Sequence, residues 1–65
     1  MTDYQVKFYK RVLSSDGHPF SVLQRTILVS QSASADDAIR IAQQQFEHLE
    51  GVRDWHLHAD FVEAA

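Results

Sequence analysis

From Tyr4 to Leu13, apolar and polar positions take turns along the chain. Tyr4, Val6, Phe8 and Val12 fall to one side, and Gln5, Lys7, Tyr9, Arg11 and Leu13 to the other. A period of two, rich in aromatic and β-branched residues, predicts a half-buried strand. Ser14-Ser15-Asp16-Gly17-His18-Pro19 comes next. Asp-Gly tolerates the positive φ of a hairpin turn, and Pro19 has no N–H to give to a ladder, so the chain is expected to reverse here. A second strand is expected over about residues 20–30. Its alternation is blurred, with Leu23, Ile27 and Val29 on one face and Val22 and Leu28 on the other. Apolar groups on both faces predict a bulge or an extra packing partner.

The period then changes. Ser34 reads as a helix N-cap whose hydroxyl accepts the N–H of Asp37, with Asp36 and Asp37 at the positive end of the helix dipole. At 100° per residue, Ala35, Ala38, Ile39, Ala42, Phe46 and Leu49 form one stripe, opposite Arg40, Gln43, Gln44 and Glu47. Gly51 is placed to end the helix in the left-handed conformation. From Val52 to Glu63 alternation returns and predicts a third strand. Trp55, Leu57, Ala59 and Phe61 are expected inward, and Asp54, His56, His58, Asp60 and Val62 outward.

These elements predict an α+β fold of ββαβ order in one domain spanning residues 1–65. The first two strands make a hairpin, and the helix returns the chain. A right-handed crossover then sets the third strand beside the first, giving a three-stranded antiparallel sheet of order 2-1-3 with one helix packed on one face. Only one face of such a sheet is covered. The other is expected to display Lys7, Tyr9, Arg11, Leu13, Val22, Leu28, His56, His58 and Val62, a mixed apolar and basic surface of the kind that marks a contact site.

Composition sharpens this expectation. With 65 residues, 45% hydrophobic, the chain is long enough for one core and too apolar for disorder. The absence of cysteine removes disulfides, thiolate metal sites and thiol nucleophiles together. A core of this size supplies no more than about 3–5 kcal/mol, so a staple is expected, and self-association into a homo-oligomer, a dimer first, is the one favoured here. The net charge of −3 is unevenly spread. Residues 4–31 hold four cations against Asp16, a net +3, whereas residues 32–65 hold two against seven acids, a net −5. The basic half could meet an anionic partner or the acidic half of another copy. No apolar run is long enough to cross a bilayer, and no signal-peptide pattern opens the chain, which points to the cytoplasm.

Several residues invite chemistry. His56-x-His58-x-Asp60 on a strand would put two imidazoles and a carboxylate in one row, about 7 Å apart between alternate residues, a weak divalent-metal motif. Histidines in an oligomer interface would titrate near neutrality. Tyr9 among Lys7, Lys10, Arg11 and Arg25 outlines a nucleic-acid surface, against which stand the acidic net charge and a single aromatic on that face. No serine sits in a nucleophile elbow and no phosphate-binding loop occurs, so a non-enzymatic binding or assembly module is expected.

Two resemblances add expectations. Lys7-Phe8-Tyr9-Lys10, Ala35-Asp36-Asp37-Ala38, Asp54-Trp55 and His58-Ala59-Asp60 resemble a group of short uncharacterised bacterial proteins, which implies no activity. Asp37-Ala38-Ile39, a helix, then Asp54-Trp55 is similar to the helix-to-strand passage of dodecins, small flavin-storing oligomers. That resemblance implies a flavin, or another small aromatic ligand, stacked on Trp55. The element order differs, since dodecins place their long strands after the helix.

Overall fold

The computed structural model describes residues 2–65. Strand β1 (Thr2–Leu13) and strand β2 (Pro19–Ser32) form a long hairpin, helix α1 (Ala35–Glu50) follows, and a 3-10 turn (Trp55–Leu57) leads into strand β3 (Phe61–Ala64). The sheet order is β2-β1-β3 and both pairings are antiparallel, as the sequence pattern predicts. Among the described residues, no helix is long and apolar enough to cross a membrane.

The punctuation residues act as their chemistry requires. Gly17, at φ 84°, lets the hairpin close with Ser14 N–H donating to His18 O at 2.9 Å. The Ser34 hydroxyl accepts the Asp37 N–H at 3.2 Å. Gly51, at φ 68°, ends the helix, and the Val52 N–H reaches back to Glu47 O at 3.0 Å, the second bond of a Schellman cap.

One core lies between α1 and the sheet. Val6, Phe8, Ile27, Val29, Ala38, Ala42, Phe46 and Ala59 are its buried members. Ala38 and Ala42 bring the helix close to the strands, and Phe46 stacks on Phe8 with ring centroids 4.2 Å apart. Trp55 meets Phe8 edge-on at 5.8 Å and closes the end of the core.

Strand β3 is much shorter than the alternation predicts. The helix has 16 residues and spans about 24 Å, a distance that about seven extended residues cover on the return. The surplus between Val52 and Asp60 is taken up in a loop. Asp54 caps the 3-10 turn by accepting the His56 N–H at 3.0 Å, and Glu47 accepts the Trp55 N–H at 3.0 Å. Trp55 and Ala59 therefore do reach the core, but from a turn rather than a strand, and Leu57 is exposed. His56 and His58 leave the sheet altogether.

Candidate interaction surface

The face of the sheet turned away from α1 is built by β1 and its two neighbours. In antiparallel pairs, directly opposed residues point to the same side. Val6, opposed to Ile27 and Ala64, faces the helix; Lys7, opposed to Thr26 and Glu63, faces away. The bare face thus carries Gln5 and Leu28, then Lys7 with Thr26 and Glu63, then Tyr9 with Leu23 and Phe61, and finally Arg11 with Ser21. Leu13, Leu23 and Leu28 are 71%, 49% and 63% exposed.

The register contains a slip that decides which residues lie here. Phe8 opposes Arg25, yet Tyr9 opposes Leu23, so Gln24 is an extra residue in β2. Beyond this bulge the two faces of β2 exchange. Leu23 turns to the bare face, while Val22, expected there, sits opposite Lys10 on the helix side. Val62 is likewise corrected. It pairs with Phe8 and packs against the core, and its neighbour Phe61 takes the bare face instead. The blurred alternation of β2 signalled the bulge but not its position. For Phe61, the signal was hidden by the length assigned to β3.

At the centre of the face three side chains form a ladder. The Tyr9 and Phe61 rings stack at 5.0 Å with 14° between their planes, and the Arg11 guanidinium lies over the Phe61 ring at 5.0 Å. Backbone bonds fix this arrangement. The Asp60 N–H donates to Tyr9 O at 2.7 Å, and the Arg11 N–H donates to the Asp60 carboxylate at 2.6 Å. Phe61 is therefore engaged by Tyr9 and Arg11 rather than open to a stacked base.

The histidines belong to other local groups. His56 Nδ1 lies 2.8 Å from Asp54 Oδ1, and its ring rests on Trp55 at 3.8 Å. Trp55 thus has Phe8 against it on one part and His56 on another, which is the surrounding that a ligand stacked on Trp55 would meet. His58 Nδ1 lies 3.1 Å from Glu50 Oε1, and the same carboxylate takes Arg25 Nη2 at 2.8 Å. Asp60 bonds back to β1. The row His56, His58, Asp60 is not formed, because these residues straddle a 3-10 turn. Among the described residues, no group of three or more histidine and carboxylate side chains converges on a common metal position.

Glu50 joins β2, α1 and the loop before β3 through Arg25 and His58. The hydrogen bond from His58, followed by that from Arg25, holds the Glu50 carboxyl below the usual range. Asp54 is lowered by the His56 backbone N–H and then its ring, and Asp16 by the Ser14 hydroxyl and then the His18 N–H. A carboxyl depressed by folding stabilises the fold above its unfolded pKa, and that contribution disappears as pH falls through the folded value. The melting temperature should accordingly fall on acidification below about pH 4, where carboxylates begin to protonate. Glu50→Gln should flatten that decline. Parallel melting curves for the two proteins between about pH 6 and about pH 2.5 would remove Glu50 from the account.

Comparisons with protein-family models, with curated proteins and with solved structures give no match to this chain.

Proposed function

We propose that this chain is a non-enzymatic assembly module that self-associates through the bare face of its sheet. The observation that carries the reading is the set of exposed leucines Leu13, Leu23 and Leu28 flanking the Tyr9–Phe61 stack, on the face that α1 leaves uncovered. A long two-stranded arm with apolar groups on a solvent-facing side is the half of a sandwich, and a second sheet packs on such a face at about 10 Å.

A second copy suits the face better than an unrelated partner for two reasons. Each chain carries net −3, so like copies repel unless their contact balances its charges. The bare face comes close to balancing them, with Lys7 and Arg11 on β1 and Glu63 opposite Lys7 on β3. A core of eight buried side chains without a disulfide also gains stability by mass action when copies cover one another.

Sedimentation equilibrium at rising concentration tests the reading. The expected mass exceeds that of one 65-residue chain and falls towards it on dilution. A single-chain mass throughout the micromolar to millimolar range would retire the proposal.

A further inference from the structure

We propose that the outer edge of β2 is a second self-association surface, distinct from the bare face. It would pair antiparallel with β2 of another copy, so that two sheets join edge to edge with their helices side by side.

The backbone directions on β1 identify the groups available. Gln5 donates to Ala65 O and accepts from Ala65 N–H, both at 2.9 Å, so its polar groups point to the β3 side. Alternation then turns those of Tyr4 and Val6 towards β2, where they engage Val29 and Ile27. The N–H and C=O of Thr26 and Leu28 consequently point to the free side of β2, which pairs with no other strand among the described residues. A two-fold axis at Ile27 sets Thr26 of each copy against Leu28 of the other, each pair exchanging both of its backbone hydrogen bonds.

Between its two bulges this edge lacks the usual charge or proline protection. Thr26-Ile27-Leu28-Val29 has neither charge nor proline and favours the extended state. Arg25 is drawn away to Glu50. The bulges at Gln24 and Gln31 limit pairing to the stretch between them, which selects a short, specific register rather than open-ended aggregation.

The helix supplies a second, independent feature beside the edge. One flank of α1, with Glu47 and Glu50, holds the loop that leads to β3. The opposite flank, overlooking β2, bears Ile41, Gln44, Gln45, His48 and Leu49 around a shallow depression of about 390 Å³. The lining of this depression contains no Asp, Glu, Lys or Arg, although 23% of the chain is charged, and Asp37, one turn before Ile41, is paired with Arg40 at 3.1 Å. Two chains of net −3 can approach along such a strip without opposing charges, and the glutamine amides can donate and accept across the two-fold. An extended peptide from another protein would satisfy the strand but leave Ile41 and Leu49 in water. The uncharged depression therefore favours a second copy.

Amide hydrogen exchange of the full chain, followed by NMR, tests this. At about millimolar concentration the Thr26 and Leu28 amides should exchange at least about 100-fold more slowly than in an open edge. The doubly substituted Ile41→Lys/Leu49→Lys chain, changed only at exposed helix positions, should lose that protection while the Ile27 and Val29 amides keep theirs. Leu23→Glu, which disables the bare face, should leave the Thr26 and Leu28 protection in place, so the two surfaces fail or succeed separately. Fast exchange of both amides at the highest concentration overturns the edge proposal. So does protection that survives the double lysine substitution or vanishes with Leu23→Glu.

Discussion

Phe46→Ala is expected to abolish cooperative unfolding at room temperature. Phe46 is fully buried and stacks on Phe8 at 4.2 Å, between the alanines of α1 and the centre of β1. Truncating a buried phenylalanine costs about 3–5 kcal/mol, from lost transfer energy and the cavity left behind. That equals the whole of what a core this small supplies, about 3–5 kcal/mol. No disulfide among the described residues holds the chain once packing is lost. Urea titration followed by the fluorescence of Trp55, which contacts Phe8, gives the measurement. The expected trace for the variant slopes without a sigmoid. A clean transition shifted by less than about 1 kcal/mol would show that the core does not depend on the ring pair. Leu57→Ala is the control. The third-strand reading puts Leu57 inside, but it is 64% exposed, so its truncation should move stability by no more than about 0.5 kcal/mol.

That contrast shows where the sequence is readable. Local chemistry is nearly transparent: Ser34 and Gly51 bound the helix because a hydroxyl and a missing Cβ act over three or four residues. The strand order is legible too, because few connections satisfy two strands, one helix and a right-handed crossover. What stays hidden is register. A period-two pattern states that residues alternate, but one extra residue reverses every side chain beyond it. Gln24 does this for Val22 and Leu23, and the early end of the loop at Asp60 does it for Phe61 and Val62. Lys7, Tyr9, Arg11 and Leu28, which precede either shift or lie inside the regular ladder, are placed on the bare face by the pattern alone. His56 and His58 show a different failure. Their alternation with Leu57 imitates a strand, whereas the Asp54 carboxylate and the short distance home favour a turn.

The bulge also explains how so small a chain comes to carry a contact surface. Were Gln24 paired with Tyr9 in regular register, Leu23 would fall opposite Lys10 and join Ile27 and Val29 on the helix side. With the bulge, Leu23 lines up with Tyr9 and Phe61 as one apolar rung across the bare face, between the Lys7–Thr26–Glu63 rung and the Arg11–Ser21 rung. The price is Val22 and Phe20 left partly exposed on the other side of the arm.

Leu23→Glu/Leu28→Glu should therefore disrupt association through the bare face while sparing the fold. Both side chains are about half exposed or more and outside the buried cluster, so the lone chain loses little by the exchange. In a symmetric contact each residue is used twice. If each buried leucine contributes about 1 kcal/mol, well under its full transfer value, the doubled pair amounts to about 4 kcal/mol. A loss of that size raises the dissociation constant about a thousandfold, before any repulsion between the new carboxylates. The measurement is sedimentation equilibrium beside urea unfolding at a concentration where the parent chain is monomeric. The expected outcome is a mass reduced by the share of association owed to the bare face, with a nearly unchanged monomer midpoint. Were the mass unaffected, the exposed leucines would be no more than wet surface; were the midpoint to collapse instead, those leucines would belong to the fold and not to a contact between copies.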